Sequence, residues 1–198
     1  GEVSTLAGTG NSGFLDSTTG TQAKFKEPYG ITTDGTNLYV TDNDNYKIRK
    51  IVISTGEVTT FAGSTNGYAN GTGTAAKFSN IKGITSDGTN LYVADRTNNR
   101  IRKIVIATRV VTTLAGSGTQ GSDDGTGTAA SFNKPMGITI YGNSLYVAER
   151  YNNKIRKIVI STGEVTTLAG SGNAGSDDGT GTEATFNNPQ GITSDGNN

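Results

Sequence analysis

Cysteine and histidine are absent from the 198 residues, and proline occurs only 3 times. Without thiols or imidazoles, the chain cannot form disulfides, Cys/His metal sites or a Cys/His nucleophile–base pair. No apolar run approaches the roughly 20 residues that a membrane-spanning helix requires. The 17 basic and 17 acidic residues cancel, so charge balance favours neither nucleic acid nor an anionic membrane. We therefore expect no cofactor, no nucleic-acid partner and no membrane insertion.

What the chain does contain is a repeat. The tripeptide Gly-Ile-Thr begins at residues 30, 83, 137 and 191, at intervals of 53, 54 and 54 residues. Each unit holds four short strand-like stretches, which in the first unit are 30–33, 38–41, 47–53 and 58–62. Turns this short make the four strands neighbours in one antiparallel meander. A period of this length with four strands per unit predicts an all-β fold, a β-propeller of four-stranded blades.

The repeats do not fill a ring. We divide the chain, as one propeller segment over 1–198, into units 30–82, 83–136 and 137–190 with partial units 1–29 and 191–198. This corresponds to about 3.7 repeats, whereas propeller rings use typically 4–8 blades. Residues 1–6 also match the middle of a repeat rather than a signal peptide. We therefore expect an incomplete ring that forms part of a longer chain.

One phenylalanine recurs five residues before each Gly-Ile-Thr. The four rings are Phe25, Phe78, Phe132 and Phe186. A ring at this point would lie between successive sheets and bury on the order of 150–250 Å². We predict that these rings act as plugs between blades and that they tether the long Gly-rich connectors.

These residues carry a resemblance to the NHL-repeat β-propellers, with near-identical repeats of a bacterial kind. The third unit shows the pattern in 132–138 (Phe-Asn-Lys-Pro-Met-Gly-Ile), 145–149 (Leu-Tyr-Val-Ala-Glu) and 152–158 (Asn-Asn-Lys-Ile-Arg-Lys-Ile). The departures are Ile81 for proline, Glu149 for aspartate, and 108–110 (Thr-Arg-Val) for Thr-Gly-Glu. The resemblance implies a propeller fold but no single role, since such proteins include scaffolds, receptor and adhesion modules, RNA binders and a few lyases.

Three polar motifs could carry chemistry. The Asp-rich connectors 122–128 and 176–182 suggest either calcium ligands or structural turns, and the missing ligand spacing of a calcium loop favours turns. Asp42 and its counterparts Asp95 and Glu149 are expected to brace the bend after the second strand, together with a later Asn. The basic third strands could form a positive band, but the nearby acids favour intramolecular pairing with solvated stems.

Catalysis receives little support from the residues. Lyases of this fold class use histidine-bound zinc, as the resemblance implies, and this chain has no histidine. Lactonase-like propellers place Glu, Asn and Asp in the channel, where the first strands here offer mainly Ile and Thr. No converging polar set stands out, so we expect no catalytic, cofactor or metal residues and no enzyme.

Sequence differences between the units concentrate in the bends after the second strand and in the connectors. A rigid scaffold with variable loops at one rim is typical of recognition. The residues best suited to contact a ligand there are Tyr46, Tyr68, Arg96, Arg150 and Tyr151. The leading hypothesis is a non-enzymatic scaffold, secreted or on a bacterial cell surface, that binds a protein or carbohydrate. Self-assembly through open blade edges is an alternative, and a metal-dependent hydrolase or lyase with its site elsewhere is a third.

Overall fold

A computed structural model describes residues 1–196, which form three antiparallel sheets and no α-helix. The first sheet has the order β1 (Pro28–Thr33), β2 (Asn37–Asp42), β3 (Lys47–Val52), β4 (Val58–Ala62). The second has the order β5 (Gly71–Thr72), β9 (Val110–Ala115), β8 (Arg100–Val105), β7 (Asn90–Asp95), β6 (Ile81–Ser86). The third has the order β10 (Gly125–Thr126), β14 (Glu164–Ala169), β13 (Lys154–Val159), β12 (Ser144–Glu149), β11 (Pro135–Tyr141).

The all-β propeller prediction is confirmed, and the three sheets do not close a ring. The final unit, 191–198, lies partly outside the described residues. Short 3₁₀ helices join the strands, at Gly20–Gln22, Asn43–Asn45, Gly73–Ala75, Gly127–Ala129 and Gly181–Glu183.

Two sheets have a fifth strand that the sequence did not predict. β5 pairs with β9 and β10 pairs with β14, each over two residues of the preceding connector. At the matching place in the first sheet, Ser17 forms an isolated bridge with Val58. The connectors therefore pair with the outer strand and cover an edge that would otherwise offer free backbone groups.

The strand register places the bends after the second strands and the starts of the connectors at one end of each sheet. In the first sheet, Pro28 lies opposite Asp42, Asp42 opposite Lys47, and Ile48 opposite Ala62. The start of the inner strand, the bend after the second strand and the start of the next connector thus share one end. We call this end the rim; it comprises the bends 43–46, 96–99 and 150–153 and the segments 26–29, 79–82 and 133–136 that lead into the inner strands.

The glycine of Gly-Ile-Thr is needed where neighbouring inner strands approach one another. A Cβ on Gly30 would lie 2.8 Å from the Lys82 carbonyl oxygen, and a Cβ on Gly83 would lie 2.6 Å from that of Met136. These distances are too short for any side chain. The hydroxyl of Thr41 donates to the Lys82 oxygen at 2.8 Å, which links the first sheet to the second. Inner strands of adjacent sheets therefore meet backbone to backbone.

Apolar residues fill the seams between sheets. Phe78 is fully buried between Tyr39 and Ile48 of the first sheet and Leu91 of the second. Phe132 is fully buried in the same way between the second and third sheets. The terminal rings, Phe25 and Phe186, are only half-buried.

On its outer flank the first sheet faces no other sheet of residues 1–196, although Ala7 and Phe25 of the first connector pack against it. Ile31 is 59% exposed there, whereas the equivalent Ile84 and Ile138 are each 6% exposed. A second sheet face is thus required to bury this position.

A buried arginine in each sheet fastens the preceding connector. Arg102 has no exposed surface; its Nη1 donates to Asp95 Oδ2 at 2.8 Å and its Nη2 donates to Asn70 Oδ1 at 2.9 Å. The same guanidinium donates to the carbonyl oxygens of Ala69 and Lys77 at 2.8 and 3.1 Å. Arg49 and Arg156 make the equivalent bonds in the other two sheets.

These arginines correct one sequence-based interpretation. Intramolecular pairing is confirmed, but solvated stems are wrong for Arg49, Arg102 and Arg156, which are completely buried. The reason is that connectors cover the outer side of β3, β8 and β13, so both faces of these strands are shielded. The Arg102 guanidinium carbon lies 4.9 Å from the Tyr68 ring centroid and 5.1 Å from that of Phe78.

The acidic motifs also serve the fold. Asp124 Oδ1 accepts from Arg156 Nη2 at 2.7 Å and from the Thr167 hydroxyl at 3.1 Å, which makes it a connector anchor. The predicted bracing of the bend is confirmed: Asn45, Asn98 and Asn152 donate to Asp42, Asp95 and Glu149 at 2.9–3.0 Å. Burial raises the pKa of Asp95 and Glu149, against the pull of their arginines.

Replacing Arg102 with methionine is expected to destabilise the protein by about 3–5 kcal/mol, because Asp95 would remain buried without its counter-charge. Denaturant unfolding followed by circular dichroism measures the change. Lys103→Met, at the next and half-buried position, is the matched control and is expected to change stability by less than about 0.5 kcal/mol. A loss below about 1 kcal/mol for Arg102→Met would show that the ion pair is dispensable.

The hairpin between β1 and β2 is closed by Asp34. Its Oδ1 accepts from the backbone N–H groups of Thr36 and Asn37 at 2.9 and 2.7 Å, and its Oδ2 accepts from the Tyr39 hydroxyl at 2.8 Å. Burial alone would raise the pKa of Asp34, but hydrogen bonds from Asn37, Thr36 and Tyr39 together lower it to about 2. Asp87 repeats this arrangement in the second sheet.

Because the folded pKa of Asp34 lies below the unfolded value of 3.8, the carboxylate stabilises the fold above about pH 4. That contribution is lost as the pH falls from about 4 towards 2. Asp34→Asn is therefore expected to lower the melting temperature at pH 7 and to differ less from the parent protein at pH 2.5. The exposed connector variant Asp178→Asn is the control. A pH-independent difference for Asp34→Asn would contradict this prediction.

Candidate ligand-binding rim

The rim changes its charge from one sheet to the next. Around the first sheet it carries acids, Glu27 and Asp44, although Lys26 lies 3.8 Å from Asp44. The rim around the second and third sheets carries cations instead. These are Lys82, Arg96, Lys134 and Arg150. The zero net charge of the chain therefore conceals a polarised surface.

Three of these cations surround one tyrosine. Tyr151 is 46% exposed, and its ring centroid lies 4.8 Å from Lys134 Nζ, 5.3 Å from Arg150 Cζ and 5.9 Å from Arg96 Cζ. Each separation is within the range of a cation–π interaction. Arg96 comes from the second sheet and the others come from the third. The group, which we call the Tyr151 cluster, therefore spans the seam between these sheets.

A second exposed ring continues the pattern. Lys82 Nζ lies 4.4 Å from the ring centroid of Tyr29, which is 48% exposed. Burial lowers the pKa of Lys82, and the positive charge of Arg96 lowers it further, while Glu27 and Asp44 act in the opposite direction. Lys82 thus stands between the acidic part of the rim and the Tyr151 cluster.

The four rim cations lack carboxylate partners. Every ion pair found within residues 1–196 involves Lys26, Arg49, Arg102 or Arg156. Arg96 Nη1 donates to Asn80 Oδ1 at 3.3 Å. Unneutralised guanidinium groups beside an exposed aromatic ring can bind an anion in bidentate fashion.

The structure brings together three of the five residues that the sequence singled out, Arg96, Arg150 and Tyr151. Tyr68 lies elsewhere; its ring centroid is 3.9 Å from Arg100 Cζ and its hydroxyl is 3.0 Å from the Thr113 hydroxyl. Tyr68 also covers the buried Arg102, so it serves the connector clamp.

Tyr46 takes no part in the Tyr151 cluster. It follows the 3₁₀ helix Asn43–Asn45 in a left-handed conformation with φ of 57°. Asn99 and Asn153 occupy this position in the other sheets, with φ of 51°. Their side chains donate to the connector oxygens of Gly118 and Gly172.

Sequence comparison missed Lys134, Lys82 and Tyr29. Lys134 immediately precedes β11, and Glu27 and Asn80 stand at the same position before β1 and β6. All three have left-handed φ angles, between 49° and 53°. A position that changes among Glu, Asn and Lys while its backbone stays constant is a detectable signal. It lies outside the bends on which the sequence comparison concentrated.

Two features are absent from the described part of the chain. Across residues 1–196, no three acidic, histidine or cysteine side chains converge as metal ligands would. The same residues contain no helix of the length and apolar character that crossing a bilayer demands.

No protein-family model matches the chain. Among characterised proteins, it is 31% identical over 173 residues to Protein SUPPRESSOR OF QUENCHING 1, chloroplastic, of Arabidopsis thaliana, which covers 80% of the chain and 16% of that protein. It is 37% identical over 112 residues to NHL repeat-containing protein 2 of Bos taurus, covering 52% of the chain and 15% of the relative. The chain thus spans about one sixth of the length of the relatives it matches.

Solved structures show the same fold. A protein of unknown function from Bacteroides thetaiotaomicron superposes with a TM-score of 0.70 at 26% identity, over 85% of this chain and 42% of that one. An auxiliary nutrient binding protein from the same organism gives a TM-score of 0.71 at 21% identity, over 86% and 43% of the two chains. A streptogramin B lyase structure gives 0.57 at 18% identity, over 84% and 44%.

The radial antiparallel sheets, the plugged seams and these superpositions define a β-propeller. The spacing of the repeats and the relatives that bear the NHL name make the class more specific. The chain is an NHL-like propeller, as the sequence predicted.

Proposed function

We propose that this protein is a non-enzymatic scaffold that binds a protein or carbohydrate ligand at the rim. The Tyr151 cluster carries the proposal, because it combines an exposed ring with cations that have no carboxylate partner. Tyrosine and arginine are the residues that most often dominate binding energy at interfaces. Arg96, Arg150 and Tyr151 are the principal contacts in this proposal, whereas Tyr46 and Tyr68 lie outside the Tyr151 cluster.

The architecture suits such a role. Arg150 and Tyr151 lie in the bend between β12 and β13, and the buried Arg156 stabilises the start of that bend, since its Nη1 donates to Glu149 Oε2 at 2.6 Å. A binding site on rigid elements loses little conformational entropy when a ligand arrives. A nutrient-binding propeller of similar fold is consistent with ligand capture, and its origin in Bacteroides is consistent with a bacterial setting.

Enzymatic activity receives less support. The lyase structure is 18% identical, a level at which the likeness concerns the fold alone. The inner strands β1, β6 and β11 carry Ile and Thr rather than converging acids or bases. A hydrolase or lyase site would have to come from residues other than those described.

The proposal is tested by displaying the purified protein on glycan and protein arrays. We expect at least one ligand to be retained, and the double variant Arg150→Gln/Tyr151→Ala to weaken its binding at least about tenfold, equivalent to about 1.4 kcal/mol. Lys103→Gln, distant from the rim, is the matched control and should bind normally. If the double variant binds the ligand as tightly as the parent protein does, the binding site does not lie at the rim.

Self-association through the open flank is a second candidate, and the 59% exposure of Ile31 favours it. If this flank binds a second copy, the sedimentation mass should rise with concentration, and Ile31→Lys should hold it at the monomer value of 20.4 kDa. Ile53→Lys is the control, because Ile53 is also exposed but lies at a turn. A concentration-independent monomer would remove this candidate.

A further inference from the structure

We propose that the rim ligand is a short acidic carbohydrate, whose carboxylate binds the Tyr151 cluster and whose sugar ring packs on Tyr151. This inference rests on the proposed binding function and specifies its ligand class. Guanidinium groups match carboxylates in a planar, bidentate geometry. Arg96 and Arg150 supply two such groups beside the Tyr151 ring, and the Lys134 ammonium adds a third positive charge; the three lie 4.8–5.9 Å from the ring centroid.

The exposed rings indicate that the ligand carries a flat apolar face. Tyr29 and Tyr151 are each close to half exposed and each has a cation against it. Ligand sites combine aromatic surface with a few placed polar groups that fix orientation. A simple inorganic anion would contact the cations but not the aromatic rings, whereas an acidic sugar would contact both.

The acidic part of the rim limits the length of the anion. Glu27 and Asp44 act on Lys82 with opposite charge, so they lie near the basic residues. A long polyanion that followed the rim from the third sheet to the first would meet these carboxylates and be repelled. Hydroxyl groups, by contrast, can donate to Glu27 and to Asn80. A chain of a few sugars with one acid at the basic end fits this division of charge.

A nucleic acid fits less well. Non-specific binding to nucleic acid depends on many phosphate contacts along a continuous basic track, and the chain has zero net charge. The basic residues here form one cluster and one neighbouring lysine. An oligonucleotide is therefore included in the test as a competing class.

The experiment is isothermal titration calorimetry of the whole chain with an acidic trimer, made of two galactose units and one terminal galacturonic acid, at 50 and 300 mM salt. The neutral galactose trimer, inorganic sulfate and a short single-stranded oligonucleotide are titrated in parallel. We expect the acidic trimer to bind at least tenfold more tightly than the neutral trimer or sulfate, and to bind less tightly at the higher salt concentration.

Three variants assign the contacts, each checked for an unchanged melting temperature. Arg150→Gln and Lys134→Gln should weaken binding of the acidic trimer about three- to tenfold and reduce its salt dependence. Tyr151→Leu should weaken it by a similar factor and leave the salt dependence unchanged, because it removes the ring and no charge. Lys103→Gln, outside the rim, should behave like the parent protein.

Several outcomes would overturn the inference. These are no heat with the acidic trimer, equal affinity for the neutral trimer, equal affinity for sulfate, tighter binding of the oligonucleotide, or equal losses in Lys103→Gln. The array experiment separates the two levels of proposal. If arrays still show a rim-dependent ligand while the acidic trimer does not bind, the acidic-sugar assignment fails and the scaffold function stands. If the arrays show no rim-dependent ligand and the acidic trimer does not bind, the scaffold function and the acidic-sugar assignment are both wrong.

Discussion

A buried arginine in each sheet determines how this chain is assembled. Its guanidinium is held between a carboxylate of its own sheet and oxygen atoms of the preceding connector. The Arg102 guanidinium donates to the carbonyl oxygen of Lys77. This contact places the next residue, Phe78, in the seam between the first and second sheets. The carboxylate of its partner Asp95 also accepts a hydrogen bond from the Asn98 side chain, and this bond shapes the bend at the rim. Buried ion pairs are poor sources of net stability compared with apolar residues. Here the pair selects one path for a long Gly-rich segment, and the seam and the rim follow from that path.

Much of this architecture could be predicted from the repeat period, the short turns and the placement of the phenylalanines. The buried arginines could not. In β8 the neighbours Ile101 and Arg102 point to opposite faces, and an alternating strand ordinarily exposes its charged face. Only the connector that folds over that face buries the guanidinium. The fifth strand was missed for a related reason, because the two residues of β5 or β10 are too few to show a pattern.

The candidate site was predictable in part. Arg96, Arg150 and Tyr151 were visible as differences between aligned bends. Their convergence depends on a seam that brings two sheets together, and one unit considered alone contains no such information. Lys134 enters the cluster from the segment before an inner strand. Composition pointed away from any charged partner because acids and bases are equal in number, whereas the fold sorts them to different sectors of the rim.

Near-identical units carry a risk during folding, because any connector could dock on the arginine of the wrong sheet and form a kinetic trap. The residue that covers each guanidinium differs along the chain. The Phe14 ring centroid lies 4.9 Å from Arg49 Cζ and that of Tyr68 lies 4.9 Å from Arg102 Cζ, while Ser122 occupies the matching position in the third connector. If a connector docked on the wrong sheet, its covering residue would lie beside a different arginine and its native contacts would be lost. Small sequence differences between the units thus favour the docking of each connector on its own sheet.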